Sequence, residues 1–220
     1  MSHATIPSIQ DLQSRVHRME GAATSRALPL LPALSGLLEL RTGSACSVEG
    51  AAVALALLAG PSRAGEWSAV VGVPELGLEA ATGFGIDLSR TIVVPDPGEH
   101  WLSVTAGLVD VASVVLVRPP TAVSEQQASR IGARLRVKDA ALIAWGRWPR
   151  AAVRLSAHES TWLGLGRGHG CLRGRRVRVT VTTNSAPPRE ATLLLTGPQQ
   201  EVVRLGAEEA AVASPVVRAG

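Results

Sequence analysis

The chain is 220 residues long, 46% hydrophobic and carries a formal net charge of +4, which excludes a disordered polyelectrolyte and leaves room for one sizeable core with a small appendage. Cys46 and Cys171 stand far apart without a CxxC neighbour, which argues against a disulfide framework or a structural zinc site and for a reducing compartment. There is no basic-then-apolar leader and no run of about 18 apolar residues, so a soluble cytoplasmic protein with no membrane partner is expected.

Lys138 is the sole lysine, and the other basic residues are arginines, whose planar donor fork suits carboxylates and phosphates. The basic balance permits nucleic acid as a partner without requiring it. Residues 8–20 place Ile9, Leu12, Val16 and Met19 at steps of three and four behind Ser8 and Asp11, which predicts an amphipathic helix with a narrow apolar stripe. Residues 21–36 hold two prolines among small residues and read as a connector, so residues 1–35 are expected to form a helix and linker lying off the core. From residue 36 onward, β-rich apolar runs alternate with helical segments. Strands are predicted at 36–42, 67–73, 90–94, 113–119 and 140–146, and helices at 48–59, 98–110 and 122–139, with 74–85 helical or irregular. Short apolar strands between helices predict an α/β fold, a mostly parallel sheet covered on both faces. After Trp148 the strand-like pieces 151–160, 161–168, 175–184 and 191–197 have no helices between them and predict antiparallel strands added at one edge. The core is then residues 36–200, followed by a loose tail over 201–220.

The stretch Arg41–Gly60, between an expected strand and an alanine-rich helix, is the setting of a phosphate loop. A working loop reads G-x-x-x-x-G-K-[ST], with backbone amides around the phosphates, a lysine on the terminal ones and a hydroxyl on Mg²⁺. Counting from Gly43 and Ser44, the second glycine falls on Val48, the lysine on Glu49 and the hydroxyl on Gly50. A carboxylate in the lysine position repels a triphosphate. Any strand, loop and helix with one glycine gives a similar string, which is the competing reading. The strand over 113–119 ends in Val117, Arg118 and Pro119 where a metal-holding aspartate belongs, and Asp110 precedes that strand, at the wrong end for a ligand. No cofactor and no catalysis are expected.

In serial order the chain resembles the RecA ATPase core in degenerate form. "GLLELRTGSACSVEGAAVALA" resembles the phosphate-loop strand and helix, "SAVVGVPELGLEAATGFGIDLSRTIVV" the next strand, acidic turn and third strand, and "GLVDVASVVLVRP" the metal-aspartate segment. "AAVRL" and "GRRVRVTVTTN" resemble the late strand pair. The resemblance implies a RecA-like core, with Glu75 near the family's catalytic glutamate. Between Trp145 and Ala152 only "GRWPRA" is present, where a recombinase carries a long DNA-binding loop. The chain therefore looks more like the shortened RecA relatives of the ImuA type, especially the actinobacterial form, than like a recombinase. That resemblance implies a non-catalytic, nucleoid-associated accessory protein of DNA repair, acting in SOS-induced mutagenic translesion synthesis after DNA damage. Its implied partners are an inactive Y-family polymerase-like protein and an error-prone replicative-type polymerase. A SulA-like inhibitor of cell division, from a related branch, and a weak residual ATPase are the alternatives.

The segment 166–179 carries Arg167, Arg173, Arg175, Arg176 and Arg178 among glycines. In a strand Arg176 and Arg178 share one face and Val177 and Val179 the other, which makes these arginines candidates for clamping DNA phosphates or else a solvated edge. His169 and Cys171 lack a second ligand pair, and Ser156, His158 and Glu159 alternate faces and form no triad. Most of the five tryptophans are expected to pack in the core or its rim. Trp145 and Trp148 bracket Arg147 in an expected turn, and Trp148 is a candidate partner anchor. The stripe Ile9, Leu12, Val16 and Met19 is the second such candidate, docking on a partner or on another copy of the chain.

Overall fold

The computed structural model describes residues 25–165, 170–196 and 201–206; the expected helix at 8–20, Arg167, His169 and the end of the expected tail lie outside them. A ribbon of β1 (Ala27–Leu28) and β2 (Leu40–Arg41) precedes the main sheet. That sheet comprises β3 (Ala45–Val48), β4 (Ser68–Val71), β5 (Thr91–Val94), β6 (Val114–Val117), β7 (Ala141–Trp145), β8 (Val153–Leu165), β9 (Gly170–Thr183), β10 (Arg189–Thr196) and β11 (Glu201–Leu205). Their order is β11-β10-β9-β8-β3-β7-β6-β4-β5. Pairing is parallel from β8 through β5 and antiparallel from β8 to β11. This is the expected α/β class: a mostly parallel sheet with helices on both faces and antiparallel strands added at one edge.

The parallel strands are apolar along their length because both faces are covered; β3, β4 and β6 are buried at every position. On one face, α1 (Ala51–Arg63) and α2 (Leu78–Gly83) pack Leu57, Leu58 and Ala81 against Val48, Val70, Leu116 and Ile143. On the other, α3 (Trp101–Val109) and α4 (Glu125–Lys138) pack Val109, Ile131 and Leu135 against Val71, Val115 and Leu142. The capping box of α4 fixes its start: Gln127 donates its amide to Ser124 Oγ, and the Ser124 amide donates to Gln127 Oε1 at 2.9 Å. Ala128, Ile131 and Leu135 are buried as their spacing predicts.

Three boundaries depart from the sequence expectation. Residues 25–44 are core: Leu28, Leu31, Leu34, Leu37 and Leu40 are all buried in the α1 cluster, so the linker assigned to residues 1–35 does not extend over this stretch. Gly60 of α1 allows it, since a Cβ there would stand 2.6 Å from the Leu30 Cα and the Pro29 carbonyl oxygen. The apolar run at 36–42 is not the first parallel strand; a turn and the short β2 occupy it, and its leucines pack as turn residues. Finally, residues 201–205 are not tail but β11, paired antiparallel to β10 with Leu194 opposite Val203.

Candidate functional site: the carboxyl edge and the arginine wing

In an open parallel sheet, ligands gather outside the carboxyl ends of the strands, where successive connections leave for opposite faces. Here β4 exits toward α2 on one face, while its neighbour β6 exits toward α4 on the other. Between them lies a cleft of ≈ 430 Å³ lined by Gly72, Pro74 and Glu75 after β4, Asp96 after β5, and Arg118 and Pro119 after β6. Arg118 fills the middle of this edge. Its Nη1 donates to the Glu75 carboxylate, and its guanidinium carbon stands 4.6 Å from the centroid of the Trp145 ring at the end of β7. An aromatic face and a carboxylate therefore hold the cation at the position where a metal-binding aspartate was sought. The partners that hold Arg118 were not legible in sequence, because Glu75, Arg118 and Trp145 meet only through the strand order.

The nucleotide loop assigned to Gly43–Gly50 is displaced. Gly43 and Ser44 precede β3 at the opposite edge of the sheet, where the Gly43 amide donates to the Ala140 carbonyl and Ser44 Oγ to that of Arg41. Val48 is the last residue of β3, and only Glu49 and Gly50 separate it from α1. Even these are committed. The Glu49 amide donates to the Leu155 carbonyl of β8 at 2.9 Å, and Gly50 accepts from Ala54 while adopting φ 96° as the helix cap. A phosphate cradle needs a run of free amides curled around an anion; this loop offers at most the Gly50 amide ahead of the first turn of α1 and carries a carboxylate, Glu49, where a lysine belongs. Ser47 Oγ, the nearest hydroxyl on β3, donates to the Gly146 carbonyl at 2.7 Å.

Trp148 is not a surface anchor. It is 2% exposed and packs edge-on against Trp101, centroids 6.5 Å apart, inside the α3–α4 cluster. Pro149, three residues after the half-buried Gly146, opens the turn that follows the buried indole. Cys46 is buried, and that burial pushes its thiol up to about 12, which leaves it un-ionised and inert. Among the described residues no group of three or more His, Cys, Asp or Glu could hold a metal, and no helix is long and apolar enough to cross a membrane.

The second feature of this edge is a wing. Strand β8 pairs with β3 only over Val153–Leu155 and then continues ten residues to Leu165, about 30 Å past the core at the usual rise. β9 returns beside it, and β10 pairs back along β9 as far as Gly174. The pieces expected separately at 151–160 and 161–168 are one strand interrupted by a bulge between His158 and Thr161, with Glu159 at φ 44°. The expected facing of β9 holds: Val177 and Val179 are buried in the α1 cluster, and Arg176 and Arg178 lie on the opposite face. The arginines are not equivalent, however. Arg178 pairs with Glu159 at 3.3 Å, whereas Arg176 is 8% exposed and its Nε and Nη2 have no hydrogen-bond partner. Arg173 is exposed, and Arg175 lies over the Trp162 ring at 5.1 Å and donates to Ser160 Oγ at 2.6 Å. Sequence reasoning passed over Trp162 because the residue opposite it is set by the bulge.

A larger cleft, of about 1620 Å³, lies at the amino edge between Arg41, Ser44, Val153, Thr183 and Pro187.

In sequence, the chain is 38% identical over 136 residues to the "Uncharacterized protein Rv3395c" of Mycobacterium tuberculosis, a match that covers 60% of this chain and 66% of that protein. Among solved structures, the flagellar accessory protein FlaH from Methanocaldococcus jannaschii aligns over 76% of this chain and 91% of its own, with 9% identity and a TM-score of 0.48. SulA from Pseudomonas aeruginosa aligns over 47% of this chain and 97% of its own, with 14% identity and a TM-score of 0.40. A family model described as the MT3502 N-terminal domain matches residues 29–150, from the ordered stretch before α1 to the turn before β8. That is more than half of the chain, and the protein belongs to the MT3502 N-terminal domain family.

Proposed function

We propose that this protein is a non-catalytic accessory protein of the ImuA type, which uses a RecA-like scaffold to assemble a mutagenic translesion synthesis complex after DNA damage. The observation that carries the reading is the carboxyl edge. The loop before α1 is two residues long, and Arg118, bonded to Glu75 and stacked on Trp145, takes the place of metal chemistry. A carboxyl edge filled in this way supports a scaffold that acts through its binding surfaces. The partners on this reading are an inactive Y-family polymerase-like protein, an error-prone replicative-type polymerase and DNA, with the last contacted by the arginines of the wing. The stripe of Ile9, Leu12, Val16 and Met19 is the proposed dock for the polymerase-like partner or for another copy of the chain.

The test is affinity capture of the tagged full chain from cells after DNA damage. A co-purifying polymerase-like protein is expected, and Leu12→Asp with Val16→Asp should weaken its capture at least tenfold without changing the melting temperature. A tubulin-like division protein captured instead would move the protein to the SulA-like class, and no capture of either would remove the adaptor reading.

A further inference from the structure

We infer that the outer part of the wing is a stacking platform for single-stranded nucleic acid, with Trp162 and Arg175 as its centre and Arg173 beside them. This rests on the proposal that the wing touches nucleic acid and narrows it to unpaired bases.

Charge distribution is the first support. Residues 156–178 hold five arginines against Glu159 alone, so the chain's whole excess of +4 resides in this segment and the remainder is neutral. A field confined to one projecting ribbon attracts a polyanion to that ribbon rather than to the molecule at large.

The second support is aromatic exposure. Trp162 is 54% exposed, one of the few large apolar side chains left in solvent. At this level β8, β9 and β10 run side by side, with Arg175 between Trp162 and Leu195, and an indole of this size on such a sheet would ordinarily be turned inward or covered. Instead it is braced from one side, with the Arg175 guanidinium over the ring and its Nε tied to Ser160 Oγ. The brace fixes the ring at little entropic cost and leaves it exposed to a second planar group.

Registry gives the third support. Trp162 lies opposite Arg175, and Arg173 follows on the same face of β9 two residues further out. Aromatic faces flanked by guanidinium groups are how proteins hold unpaired bases without reading their sequence, because every base has a stackable face while its phosphate needs a cation. A duplex hides those faces in its own stack, so the same platform meets it through phosphates alone.

The measurement is fluorescence anisotropy of a fluorescein-labelled 20-nucleotide oligo-dT and of a 20-base-pair duplex, each with the full-length chain at 50 and 200 mM salt. The single strand should bind at least tenfold more tightly than the duplex. Trp162→Ala should cost roughly tenfold in single-strand affinity, as one lost base stack does, with the salt slope unchanged, and Trp162→Phe should retain most of the binding. Arg173→Ala with Arg175→Ala should flatten the slope. Thermal melts should stay close for all variants, because Trp162 and Arg173 are exposed and Arg175 is only half-buried. Equal binding of strand and duplex, unaffected by Trp162→Ala, would overturn the platform and leave the DNA contact standing. Absence of binding to either probe at 50 mM salt would overturn both, and loss of polymerase-like partner capture in Trp162→Ala would then make the stack a protein-docking site.

Discussion

Arg176 is the least ordinary residue of the molecule. A guanidinium stays charged at any accessible pH, and one that is buried with Nε and Nη2 unbonded costs stability. Arg176→Met, which keeps much of the side-chain volume, should therefore leave the chain at least as stable, raising its melting temperature by about 2–4 °C for each kcal/mol recovered. A fall in the melting temperature would show that the guanidinium is satisfied in solution. Glu66 behaves in the opposite way. Arg26 donates to its carboxylate at 2.5 Å, and this bond, followed by one from Ser113, holds Glu66 below its ordinary value of 4.5. A depressed carboxyl contributes stability above the unfolded value and loses it as pH falls through the folded one. Glu66→Gln should hence melt lower than the parent at pH 7, with the difference closing below about pH 4; a difference independent of pH would mean that the ion pair contributes nothing.

Among the elements, α1 and the segment before β3 show how a sequence pattern misleads. Residues 36–42 have the composition of a buried strand, and residues 43–50 that of a glycine-bounded loop, yet the strand is Ala45–Val48. A four-residue strand of small side chains gives no periodic signal, whereas leucines packing from a turn imitate one. The glycine at position 60 carries the clearest consequence. With the Leu30 Cα and Pro29 oxygen 2.6 Å from any Cβ placed there, Gly60→Ala must push the 25–44 segment off α1. It should cost about 2 kcal/mol, or about 4–8 °C in melting temperature, despite the better helix propensity of alanine. A gain in stability would instead make residues 25–44 a loosely held linker, as their prolines first suggest. On the other face of the sheet, α4 was fully legible because its capping box, its apolar stripe and its burial agree.

For the whole molecule, the alternation of apolar runs and helices was sufficient to give the parallel sheet and the switch to antiparallel strands after Trp148. What stayed hidden were meetings across strand order and register: Arg118 with Glu75 and Trp145, Trp162 with Arg175, and the burial of Trp148 beneath α3. Missing catalytic letters were visible in the sequence, whereas the two-residue connection of Glu49 and Gly50 between β3 and α1 was not. Restoring the lysine should thus restore nothing. The central proposal is that the carboxyl edge of this sheet carries no nucleotide chemistry, and isothermal titration of the full chain and of Glu49→Lys with Mg²⁺-ATP tests it most directly. Neither protein should bind more tightly than about 1 mM, the range left when neither cradle nor metal site forms; micromolar binding by the unmodified chain would contradict the account.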